Sequence, residues 1–161
     1  MSGTSGHLDA SVVGREFDRT TFGPITAEQI IRYARAYGEN DPIYTDETAA
    51  EEGPHRGLVG PPTFPVSVRR EIFLPKEVPD ALGYDGFDAG KDIDLGVPVR
   101  PGDVLTSSTT IHETYEKTGR SGSIVFLVLR TVVTNQKDEL VATMDQRMMF
   151  RPPAEQLKVE S

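Results

Sequence analysis

The sequence predicts an α+β fold in which one helix lies against a sheet of long antiparallel strands. Two observations carry this. Thr26-Ala27-Glu28-Gln29 has the pattern of a capping box, and Ala27, Ile30, Ile31, Ala34 and Tyr37 follow at helical spacing. The second half then holds three long strand-like runs, the first rich in Thr and Val, separated by short polar turns. A helix with one apolar face needs cover, and a sheet wrapped around it supplies that cover.

Taken in order, residues 1–11 are small and polar and read as a loose tail. Val12 to Thr21 reads as a first strand. Gly23-Pro24 interrupts the chain before the helix, and Gly38 sits where a left-handed residue closes it. Gly38 to Tyr44 reads as a polar loop. Asp46 caps a second, shorter helix through Ala49 and Ala50. Phe64, Val68 and Ile72 predict another helix over Thr63–Phe73, with Pro65 in its first turn. Leu74 to Asp88 reads as loop. Strands follow at Ala89–Leu95, Val104–Tyr115, Ile124–Asn135 and Leu140–Phe150, the last three as a meander.

The chain has 161 residues, enough for one domain that buries roughly 70% of its unfolded surface. That domain is placed at residues 12–150, with residues 151–161 as a second flexible tail. A net charge of -8 argues against a nucleic-acid partner. The absence of cysteine excludes disulfides, thiolate nucleophiles and Cys-based metal sites. No secretory h-region and no run of about 18 apolar residues is visible, so a cytoplasmic protein without a membrane span is expected.

Four stretches carry a resemblance. Gly38-Glu39-Asn40-Asp41-Pro42-Ile43-Tyr44 resembles the Gly-Asp-x-Asn-Pro-aliphatic-His hydratase motif of MaoC-like hot-dog proteins. Ala89–Asp94 and Val97-Pro98-Val99-Arg100-Pro101-Gly102-Asp103 resemble the strand and bend that follow it in that family. Leu58–Phe64 is similar to the matching segment of the family's N-terminal-type, FAS1-like branch. That branch includes the acyl-recognition subunits of two-subunit (3R)-hydroxyacyl-thioester dehydratases. The resemblance implies a long central helix wrapped by five or six antiparallel strands, dimerised edge to edge with itself or with a second MaoC-like chain. It implies a lyase of fatty-acid metabolism, acting on acyl-CoA or acyl-carrier-protein thioesters without a cofactor. In such a site an Asp and a His hold one water for acid–base work, and a Gly N–H stabilises the enolate oxygen.

At each of those chemical positions this sequence departs. Glu39 stands where the family has Asp, one methylene longer, and a 1 Å misplacement can cost about 100-fold in rate. Tyr44 replaces His, and a phenol with a pKa near ~10 is a poor base at neutral pH. Pro61 falls where the oxyanion Gly belongs and has no N–H. The expected role is therefore acyl binding, with the catalytic pair on a partner chain. Glu39, Asp41 and Tyr44 remain the catalytic candidates by motif position, and Gly60, Pro61, Pro62 and Thr63 the substrate-binding ones. Asp41 reads equally as a loop residue bonding nearby amides. Three alternatives stay open: a self-sufficient hydratase using Glu39 with Asp41 or Tyr44, a non-catalytic acyl-thioester or scaffold protein, and a hot-dog thioesterase. His7, His55 and His112 are too scattered for a metal site, and His55 reads as a surface loop residue. Arg100 reads as a solvated bend residue, and Tyr84 and Asp88 receive no role.

Overall fold

Five antiparallel strands in the order β1-β3-β4-β5-β2 form the frame of the molecule. They are β1 (Glu16–Phe22), β2 (Gly86–Leu95), β3 (Leu105–Gly119), β4 (Gly122–Thr134) and β5 (Leu140–Phe150). Helix α1 spans Ala27–Ala36, followed by the short helices α2 (Pro42–Thr45), α3 (Glu47–Glu51) and α4 (Glu77–Leu82). The computed structural model describes residues 8–68, 70–83, 85–120 and 122–151. Tyr84 and residues 152–161 lie outside these.

The helix forms for the reasons its sequence gives. Thr26 accepts from the Gln29 amide at 3.1 Å, and the Gln29 side chain accepts from the Thr26 amide at 2.8 Å. Gly38 takes φ +75° just past its end, where a side chain would be strained. Ile30 and Ala34 are fully buried, and Ile30 joins the core cluster that holds Leu105, Val133, Val141 and Met144. Ile31, expected on the same face, is only half-buried, and Tyr37 is exposed. With 100° between successive residues, one adjacent pair cannot both point at the sheet.

Several boundaries differ from expectation. Asp9 caps a 3-10 turn over Ala10–Val12, and Leu8 and Val12 are buried beside Val78 and Leu82. The chain from Leu8 onward is therefore packed rather than trailing, and β1 starts at Glu16. The helix expected over Thr63–Phe73 is reduced to a 3-10 turn at Phe64–Ser67. A buried carboxylate wins there: Asp18 Oδ1 accepts from the amides of Glu71 and Ile72 at 3.1 and 2.9 Å. Those amides are needed for a continued helix. Conversely α4 forms inside a stretch read as loop, burying Val78 and Leu82, with Pro79 tolerated in its first turn. Strand β3 runs on to Gly119, because Glu116–Gly119 pair with Val125–Gly122.

On the outer face, Arg130 donates to both oxygens of Asp145 at 2.7 and 2.6 Å. This holds the Asp145 carboxyl below its ordinary pKa, chiefly through the hydrogen bonds. A depressed carboxylate stabilises the fold above its unfolded pKa, near ~3.9, and that contribution is lost as pH falls through the folded value. Asp145→Asn should therefore cost about 1 kcal/mol at pH 7 and progressively less below about pH 4. Denaturant titrations of both proteins at the two pH values check this.

Candidate functional site

The motif loop is built to satisfy its own backbone. Glu39 Oε1 accepts from the amides of Asn40 and Asp41 at 3.0 and 3.1 Å. Asp41 Oδ1 accepts from the Ile43 amide at 3.0 Å and so caps α2, with Pro42 at the first helical position. The two carboxylates of the motif are thus engaged by main-chain donors a residue or two away. Tyr44 is the motif residue that turns outward to a surface groove.

That groove has a volume of about 210 Å³. One wall is Val59-Gly60-Pro61-Pro62 with Pro65, and the other is Leu95–Val99 with Val141. Tyr44 and His55 supply its polar groups. The Val59 amide donates to the Ile43 carbonyl at 3.2 Å, which ties the motif loop to the first wall. The Gly60 amide donates to the Val99 carbonyl at 2.8 Å, which ties the walls together. Added atoms at Gly60 would crowd Phe64, and at Gly96 the Leu140 carbonyl. Gly96 is therefore required by close approach of the backbone, and Gly60 sits in tight contact with Phe64. Arg100 donates to the His55 carbonyl at 3.0 Å and is held by its own turn, where its amide donates to Asp103 at 2.7 Å.

Of the sequence-predicted site residues, Tyr44, Gly60, Pro61 and Pro62 meet in this groove. Glu39 and Asp41 do not line it. Thr63 does not line it either, and its carbonyl accepts from the Tyr33 hydroxyl at 2.8 Å. His55, expected as plain surface, lines the groove although largely exposed. Its signal in the sequence was only its position shortly before the Leu58–Phe64 segment.

The chemistry of the arrangement follows from these groups. Burial raises the Tyr44 pKa, and the charges of Asp41 and Glu39 raise it further. At neutral pH Tyr44 is a protonated phenol that can donate a hydrogen bond but cannot act as a base. The Gly60–Pro62 wall has no free amide to offer: Gly60 N–H is bonded to Val99, and Pro61 and Pro62 have none. No carboxylate is among the lining residues. The rest of the lining is apolar, suited to a hydrocarbon or the edge of an acyl chain. Among the described residues no group of three or more potential ligands could hold a metal, and no helix is long and apolar enough to cross a membrane.

The profile of the FAS1-like dehydratase domain region matches residues 11–144. A UPF0336 protein of Streptomyces coelicolor is 30% identical over 151 residues, covering 92% of this chain and 98% of its own length. A UPF0336 protein of a Parafrankia strain is 31% identical over 134 residues, covering 73% and 88%. A MaoC-like dehydratase from Rhodospirillum rubrum superposes with a TM-score of 0.65 at 26% identity, over 88% of this chain and 94% of its own. Two complexes of Mycobacterium tuberculosis share the fold at lower identity. C-terminally truncated HadBC, a (3R)-hydroxyacyl-ACP dehydratase, has a TM-score of 0.67 at 24% identity, covering 86% and 96%. The ChsH1–ChsH2 complex has a TM-score of 0.70 at 23% identity, covering 86% and 85%. Profile, relatives and architecture agree, and the chain belongs to the FAS1-like dehydratase family, with the hot-dog fold of the MaoC-like dehydratases.

Proposed function

We propose that this chain is the acyl-binding subunit of an enoyl-thioester hydratase or (3R)-hydroxyacyl-thioester dehydratase, with the acid–base pair on a second MaoC-like chain. The observation that carries the reading is the groove itself. It is apolar and open, with a protonated phenol at the motif position and no unengaged amide on its Gly60–Pro62 wall. Such a groove can hold an acyl thioester, but Tyr44 cannot take up its α-proton and the Gly60–Pro62 wall offers no N–H to stabilise an enolate. That HadBC and ChsH1–ChsH2 are complexes supports a partner for this fold.

Strand β2 supports the same reading. It is an edge strand of ten residues, almost wholly exposed, with Phe87 and Leu95 open to solvent. Long unpaired edges invite pairing with another chain. The protein should therefore form a homodimer or heterodimer through this edge, and light scattering at tens of micromolar should give a dimer mass. A clean monomer would count against it. Purification of the tagged chain from its host should bring a second MaoC-like chain that carries the Asp and His. Recovery of the tagged chain alone, fully active on an enoyl-CoA, would sink the proposal.

One observation favours a second reading. His55 shares the groove with Tyr44, and an imidazole nitrogen is a proton acceptor that no other lining side chain supplies. In a self-contained hydratase His55→Asn would abolish activity of the isolated chain. In the proposed complex it should change rates by less than about threefold, because rim residues of this kind usually act weakly.

A further inference from the structure

Cross-strand pairing sets Asp18, Thr109, Thr131, Met144 and Ile93 in one row on the sheet face that α1 covers. The next row ends in Gln146 opposite Lys91. Residues 66–68 and 70–73 lie above these rows, anchored by the bonds from Glu71 and Ile72 to Asp18. Between these residues and the sheet lies a cavity of about 450 Å³. Val66, Val68, Phe73 and Met144 make its apolar surface, and Arg70 and Lys91 converge on it as cations. No carboxylate is among the residues that line it.

Arg70 is the group that calls for an explanation. Its guanidinium is substantially withdrawn from water, which lowers its pKa. It nevertheless bonds only neutral acceptors: the Phe73 carbonyl at 2.8 Å and Gln146 Oε1 at 3.3 and 3.2 Å. The neighbouring carboxylates are engaged elsewhere. Asp18 holds two amides and the Thr20 hydroxyl, and Asp88 holds the Gly90 amide and the Gln146 side chain. Lys91 forms no ion pair among the described residues, though it lies near enough to Asp88 to favour its ionised form. Asp18 lies near enough to favour the charged guanidinium but forms no hydrogen bond to it, so the planar fork is left without the carboxylate it matches.

We propose that this cavity is a binding site for an aliphatic chain ending in a carboxylate. The carboxylate sits between Arg70 and Lys91, and the chain lies over Val66, Val68, Phe73 and Met144. The site is separate from the Tyr44 groove. Lys91 stands four residues from Leu95 on β2, a separation of about 13 Å. The proposal does not depend on whether the chain takes part in a dehydratase.

Calorimetric titration of the full chain with octanoate, octan-1-ol and octylammonium tests it. Octanoate should bind at one site, the alcohol about tenfold or more weaker, and the ammonium not measurably, since a lost charge pair is worth at least about a decade. Lys91→Glu should weaken octanoate by about tenfold or more with the melting temperature little changed, whereas Lys91→Arg should retain binding. Arg70→Met should abolish binding, but it also removes bonds to Phe73 and Gln146, so the exposed Lys91 carries the decisive comparison. Octanol binding as tightly as octanoate, octanoate affinity unchanged in Lys91→Glu, or no octanoate binding up to millimolar concentration would each overturn the proposal.

Discussion

Purified alone, the chain should hydrate crotonyl-CoA or a longer enoyl-CoA at least about 100-fold below the ~10 per second of a typical enzyme. Each element of the groove argues for this. Hydration needs a base for the water, and Tyr44 is held protonated by burial and by the charges of Asp41 and Glu39. It needs a donor at the thioester oxygen, and the loss of one such donor costs about 2.7–4 kcal/mol, or 10²–10³ in rate. Pro61 and Pro62 carry no N–H, and the Gly60 N–H is already bonded to Val99. The deficits act on one constellation, so they do not simply add, but the missing donor alone suffices for the predicted gap. Stopped-flow absorbance at the enoyl-thioester band reads the rate directly. A turnover near the typical value from this chain alone would show that it holds its own acid–base pair.

The largest effect on stability should come from Ile30→Ala. Ile30 is completely buried between α1 and the sheet, against Leu105, Val133 and Met144. Truncation of such a side chain costs about 2–5 kcal/mol through lost burial and the cavity left behind. In a domain of this size that lowers the melting temperature by roughly 5–15 °C. Ile31→Ala is the matched control. Its side chain is only half-buried, so the loss should be less than half as large. Equal losses at the two positions would mean that the helix presents a different face to the sheet.

How much of this was legible in the sequence varied with the physics that decided each element. Local signals gave the capping box of α1, the Gly38 terminus and the strand Leu140–Phe150, because each depends on neighbours a few residues away. The segment after Phe64 was misread because its fate rests on Asp18, some fifty residues earlier in the chain, and no periodicity reports such an anchor. Helix α4 was missed because six residues with an internal proline give too short a pattern. The same division holds for the site. Tyr44, Pro61 and Pro62 were found from motif position. His55 reads as plain surface because its place in the groove rests on the bond from Arg100, forty-five residues later, to its carbonyl. That Glu39 is bound by its own loop needed geometry, since a longer carboxylate after a helix-ending glycine can point either way.

The most direct test of the central claim is the hydration rate of the reconstituted two-chain complex carrying Glu39→Gln in this chain. Glutamine keeps an oxygen for the Asn40 and Asp41 amides and so preserves the loop, while it can no longer exchange a proton. If this chain binds the acyl group and its partner does the acid–base work, kcat should stay within about threefold of the unsubstituted complex. A loss of about 100-fold or more, the usual cost of removing a general acid or base, with the melting temperature intact, would contradict it and make Glu39 the working group.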